Sequence, residues 1–111
     1  MIKAERVKIL VTKTGESIIC DVQEAVNKET GAREAFVMQL PYRIDVEIPE
    51  GVPDQLVGNE QVSVRYYPWN PLTIDTSIAV AADYIVTIME PSPSVRDTYL
   101  DNMKKLVGDV E

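Results

Sequence analysis

Any chemistry in this chain would have to run on carboxylates. Eighteen Asp and Glu residues stand against a single cysteine, Cys20, and no histidine. Without imidazole there is no Ser-His or Cys-His nucleophilic pair. There is also no unperturbed acid–base side chain near neutrality, and almost no route to a zinc or non-haem iron site. Carboxylate chemistry with or without Mg²⁺ remains, but no D-x-D-x-D-G loop gathers the acids at metal-binding spacing. Solvated surface carboxylates are the simpler account. Cys20 sits in the apolar run "SIIC" and reads as a small buried hydrophobe rather than a nucleophile. The expectation is a chain that is not an enzyme and needs no metal or cofactor.

The side chains better suited to meet a ligand are cations. Net charge is −7, a poor global match to a nucleic-acid binder, yet it is unevenly spread. Residues 1–33 hold six Lys/Arg against five Asp/Glu, whereas residues 34–111 hold five against thirteen. An anion-facing surface is therefore expected from the first third. Lys28 and Arg33 flank the loop "NKETG", and Lys13 stands in the Lys-Thr-Gly turn. A second concentration is aromatic: "RYYPWNP" at 65–71 holds Tyr66, Tyr67 and Trp69. These rings could stack on bases or anchor an interface. Arg65 is the only basic residue between 44 and 90, so packing or subunit contact is the favoured role, because stacking without nearby cations gives little affinity.

These residues need a scaffold, and the pattern predicts mostly strands. Residues 7–13 and 16–26 read as two strands joined at Thr14-Gly15, and residues 27–31 as a hairpin loop. From Phe36 to Ile48 every even position is apolar, which predicts one buried and one wet face, with Pro41 marking a bend or an edge. Residues 49–60 form a Pro/Gly-rich acidic loop, 61–67 alternate again, "PWNP" interrupts, and 72–80 re-enter as a strand. "IKAERV" allows a short N-terminal helical turn. Pro93 behind Ser92 opens a helix to about 107, with Val95, Tyr99, Leu100, Met103, Leu106 and Val107 on one stripe and Gly108 as stop. At 111 residues this is one domain. No apolar run reaches the ~20 residues of a membrane span, the charged N-terminus is no signal peptide, and one cysteine suits a reducing compartment. The cytoplasm is the expected location, with no membrane partner.

Two stretches carry a family resemblance. "ILVTKTGESIICDV" resembles the first motif of the Sm/Lsm ring-forming RNA-binding proteins, an apolar strand running through Lys/Asn-x-Gly into a second apolar strand. "IAVAADYIVTI" is similar to their second motif, with Ala81-Ala82 in place of Arg-Gly, Asp83 next, and a final strand at Tyr84–Ile88. The nearest likeness is to the divergent, Hfq-like branch found in phages of cyanobacteria. The resemblance implies a mainly β fold: a small, strongly bent five-stranded antiparallel barrel of Sm-like (SH3-type) form, with a C-terminal α-helix. It also implies a homo-oligomeric ring of about five to seven copies, in which the final strand leaves its own sheet to pair with the next copy through Tyr84, Val86 and Ile88, with Tyr66, Tyr67 and Trp69 adding contacts.

In the family, loop residues around the pore hold single-stranded RNA. The positions that match here are Asn27, Lys28 and Arg33 in one loop, Ala81, Ala82 and Asp83 in the joint, and Lys13. The family's Asp and stacking side chain are absent from "AVNKETGAR", and Ala81 replaces its stacking Arg. The implied ligand is therefore the backbone of single-stranded RNA or DNA rather than a specific uridine. An SH3-like protein–protein or phage-assembly module, contacting partners through "RYYPWNP", is the alternative from a different class.

Overall fold

Two reversals set up the sheet. β1 (Val7–Thr12) turns back into β2 (Ser17–Val26) through residues 13–16. Gly15 there takes φ +88° and donates its N–H to the Thr12 carbonyl at 3.0 Å. β2 returns through residues 27–32 into the long β3 (Arg33–Glu47). The computed structural model describes residues 2–47 and 63–107. The expected loop 49–60, the strand ends at 48 and 61–62, and the Gly108 stop lie outside them. β4 (Ser63–Pro68), β5 (Ser77–Ala81), β6 (Ile85–Met89) and α1 (Pro93–Val107) complete the chain. Single 3₁₀ turns occur at Ala4–Arg6 and Ala82–Tyr84.

All strand pairs are antiparallel, in the order β4-β3-β2-β1-β6, with β5 also on β3. Among the described residues six strands form, where the resemblance implied five. The sheet is not closed, since β5 pairs β3 and β6 pairs β1 but they do not pair each other.

β3 departs most from the expected period of two. Ile19 lies opposite Tyr42 while Asp21 lies opposite Gln39, so Leu40 and Pro41 together face Cys20 alone. This β-bulge puts Leu40 at φ +48°, a left-handed conformation that costs a branched side chain roughly 1–3 kcal/mol. Its surroundings hold it there. The Leu40 N–H donates to the Thr76 carbonyl at 2.7 Å, and the Leu40 carbonyl accepts the Tyr99 hydroxyl at 2.8 Å. The bulge also splits the neighbouring strand: β5 covers Ala35–Gln39 and β4 covers Tyr42–Glu47. Residues 72–76, expected in a strand, instead belong to the loop between them.

An extra residue in a strand exchanges its faces. Before the bulge, Phe36 and Met38 are buried, Met38 in an inner cluster with Leu10, Ile18 and Cys20 that Val80 and Ile85 also touch. After it, Tyr42 and Ile44 pack on the outer face with Val7, Ile19, Ile2, Tyr99 and Met103. The even positions stay apolar throughout but serve two cores. Val46 is exposed. β2 lies between the cores, which is why four consecutive residues, Ile18 to Asp21, are fully buried.

Helix α1 covers the outer core. Tyr99 and Met103 are buried, Val95 and Leu100 pack against the cluster, and Leu106 turns away at 61% exposure. The Arg96 N–H donates to the Ser92 carbonyl at 2.9 Å, closing the first turn. The N-terminal arm is fixed by the fully buried Asp21. One carboxylate oxygen accepts the Lys3 N–H at 2.8 Å and the Arg6 Nε and Nη2 at 3.1 and 2.8 Å.

Candidate functional site

The joint between β5 and β6 is one 3₁₀ turn, closed by the Ile85 N–H donating to the Ala82 carbonyl. It crosses from one end of the sheet to the other: Ala81 is the register partner of Ala35 on β3, and Ile85 of Thr12 on β1. The Lys-Thr-Gly turn meets it there. The Lys13 N–H donates to the Tyr84 carbonyl at 2.9 Å, and the Thr14 and Tyr84 hydroxyls lie 3.2 Å apart. The structure therefore brings Lys13 together with Ala82, Asp83 and Tyr84, and Asp83 is exposed at the middle of the turn.

The final strand was expected to leave its own sheet for an adjacent copy. It leaves β5 but lies along β1 of its own chain, with Ile88 opposite Leu10 and Met89 opposite Ile9. Its other side has no strand partner among the described residues, and neither has the outer side of β5. Free edges are normally guarded by charge or proline. "SIAVA" and "IVTIM" contain neither, and Val86, Ile88 and Met89 are 67%, 39% and 45% exposed.

The hairpin tip is less cationic than its sequence suggests. Asn27 braces the loop: its Oδ1 accepts the N–H groups of Glu29 and Thr30 at 2.9 and 3.1 Å, and its Nδ2 donates to Glu34 at 2.8 Å. Arg33 pairs with Glu24 at 2.8 Å and lies 5.3 Å over the Phe36 ring. Lys28 and Lys13 remain, both exposed and neither ion-paired among the described residues.

The aromatic group separates into three roles. Tyr66 packs on the outer core beneath α1 and donates its hydroxyl to the Val95 carbonyl at 3.2 Å; burial pushes its phenol up. Trp69 is half-buried against the inner core and lines a cavity of about 250 Å³ with Leu40, Pro41 and Tyr42. Only Tyr67 is exposed, with the Arg43 guanidinium 5.1 Å from its ring centre. Tyr66 and Trp69 thus hold the chain's own packing rather than an open contact surface.

Sequence reasoning passed over Arg43, Leu72 and Ile74. Arg43 is the cross-strand partner of Tyr67, a relation visible only once the register is known. Leu72 and Ile74 were read into a strand, yet they are 94% and 97% exposed.

Among the described residues no three His, Cys, Asp or Glu side chains converge to hold a metal ion, and no helix is long and apolar enough to cross a membrane. Cys20 is fully buried, and burial, followed by the nearby Asp21, pushes its thiol far above its ordinary range. A thiol reagent at pH 8 is expected to leave Cys20 unmodified in the native protein and to titrate one thiol in denaturant. Rapid native labelling would show that the β2 centre opens.

No curated protein matches the chain. A family described as a family of unknown function (DUF6561) matches residues 5–104. With nearly the whole described fold inside that match, the chain belongs to this family.

Proposed function

We propose that this chain is a non-enzymatic, Sm-like ring-forming protein that binds the backbone of single-stranded nucleic acid through loop cations. Copies join edge to edge, β5 of one against β6 of the next. The observation that carries the reading is the pair of unguarded strand edges on either side of a single 3₁₀ turn. Two unlike edges on one chain make a head-to-tail contact, which closes into a ring when the rotation between copies divides a full turn. Closure removes both exposed edges.

The ligand reading rests on Lys13 and Lys28. One such pair on a chain of net charge −7 attracts a polyanion weakly. Several pairs around one opening focus the field and convert weak contacts into avidity.

Size-exclusion chromatography with light scattering is expected to show a multimer. Val86→Lys, which adds charge to the β6 edge at a largely exposed position, is expected to give a folded monomer. Fluorescence anisotropy with labelled oligo-U and oligo-dT at ~50 mM salt should show binding that falls steeply by ~200 mM. Lys13→Ala with Lys28→Ala should weaken it by about tenfold or more. A wild-type monomer refutes the ring, and a multimer whose binding ignores both lysines refutes the phosphate-reading loops.

A further inference from the structure

We propose that the Trp69–Thr76 loop is an arm that seats on a second copy of this chain, with Leu72 and Ile74 packing against the Met89 end of that copy's β6. The inference rests on the edge-to-edge assembly above and adds a second contact to it.

The arm is built rather than loose. At one end the Trp69 N–H donates to the Pro41 carbonyl at 3.0 Å; at the other the Thr76 carbonyl accepts the Leu40 N–H at 2.7 Å. Between them Asn70 Oδ1 accepts the Leu72 N–H, and Thr73 Oγ1 accepts the Asp75 N–H, each at 3.0 Å. Anchored this way, the backbone holds Leu72 and Ile74 at 94% and 97% exposure, Ile74 at the rim of the cavity that Trp69 lines. Single exposed hydrophobes are ordinary, but two neighbours on a fixed loop beside a free strand edge make a patch with a purpose.

Position and area identify the occupant. Ser77, the first residue of β5, directly follows the arm. Antiparallel pairing of two five-residue strands, Ser77–Ala81 and Ile85–Met89, sets Ser77 beside Met89 of the second copy and carries the arm past it. Met89 and Ile88 are there at 45% and 39% exposure. Glu90, next along, is already paired with Lys8, so the receiving surface does not end in a bare anion. A seam of this length, about 17 Å long and one strand spacing (~4.8 Å) wide, covers roughly 80 Å², far short of the ~800 Å² per partner that a stable interface buries. Further apolar surface has to come from beside the seam, and Leu72 and Ile74 supply it.

The test compares wild type with Leu72→Ser/Ile74→Ser by analytical ultracentrifugation over a dilution series, with circular dichroism to check folding. Both positions are solvent-exposed, so the double variant is expected to keep its fold. It should dissociate at a concentration at least tenfold higher than wild type. A wild-type monomer overturns the assembly itself. A wild-type multimer with an unchanged midpoint in the variant overturns the arm alone. Mixing Leu72→Cys chains with Met89→Cys chains under mild oxidation should give a mixed disulfide dimer, uncomplicated by the buried Cys20; its absence in a mixture that still assembles also overturns the arm.

Discussion

Tyr99→Ala is expected to lower the unfolding free energy by about 3–5 kcal/mol, a large share of the ~5–15 kcal/mol that holds a domain together. Tyr99 is fully buried and packs edge-on against Tyr42, ring centres 6.4 Å apart at 73°. Its hydroxyl donates to the Leu40 carbonyl at 2.8 Å and also reaches the Gln39 carbonyl at 3.3 Å. One side chain therefore fills the space between helix and sheet and secures the backbone at the bulge.

Tyr99→Phe separates these duties. The ring stays while the bulge carbonyls lose their donor, at a cost of about 1–3 kcal/mol. Urea midpoints for the three proteins measure both terms, and a Phe variant as stable as wild type would show that the hydroxyl does not secure the bulge.

The phenol also sets an alkaline limit. Burial, then the neighbouring Cys20, Asp21 and Tyr42, push Tyr99 far above its ordinary value. A raised folded value means that stability is intact below the unfolded value of about 10 and declines as pH rises above it. Tyr99→Phe should make that decline shallower.

Removal of Arg6 is expected to produce the second large loss. Asp21 is fully buried, and its accepting oxygen depends on the Arg6 guanidinium and one backbone N–H. Its other oxygen has no hydrogen-bond partner among the described residues. Arg6→Met strands that carboxylate in an apolar setting, which typically costs about 3–5 kcal/mol. The Arg6 side chain is 28% exposed, so the lower end of that range applies.

Adding Asp21→Leu to Arg6→Met should restore most of the loss, because an apolar pair replaces a buried ion pair with little penalty. Thermal midpoints across the double-mutant cycle decide it. If the double variant is no more stable than Arg6→Met alone, the stranded charge is not the cause.

Much of the scaffold could be read from residue order because its signals are local. β1, β2 and α1 follow from short-range alternation, a glycine turn and a capped amphipathic stripe, and each falls within a residue or two of its expected bounds. The joint, expected at Ala81–Asp83, runs one residue further, with Tyr84 in the turn and the final strand starting at Ile85. What escaped depends on partners distant in sequence. The pairing of Asn27 with Glu34 and of Arg33 with Glu24 involves acids that share their hairpin and become partners only once its register is fixed. The packing of Tyr66 required the helix thirty residues later. Asp21 inside "IICDV" was a signal in plain view, since a lone acid in an apolar strand demands a partner, but nothing local pointed to Arg6. The bulge was hidden by its own compensation: alternation continued across Leu40–Pro41 because the sheet has an apolar core on each side, one covered before the bulge and the other after it.

That compensation makes chain length a more sensitive variable here than residue identity. Swapping Ile44 for valine would trim one methylene from a packed surface. Deleting a single residue between Met38 and Tyr42 would instead invert every side chain downstream in β3, driving Tyr42 and Ile44 toward Cys20 and turning charged Arg43 and Asp45 toward the helix. A lineage carrying this fold can drift freely in spelling at many sites, but not in letter count across those few positions.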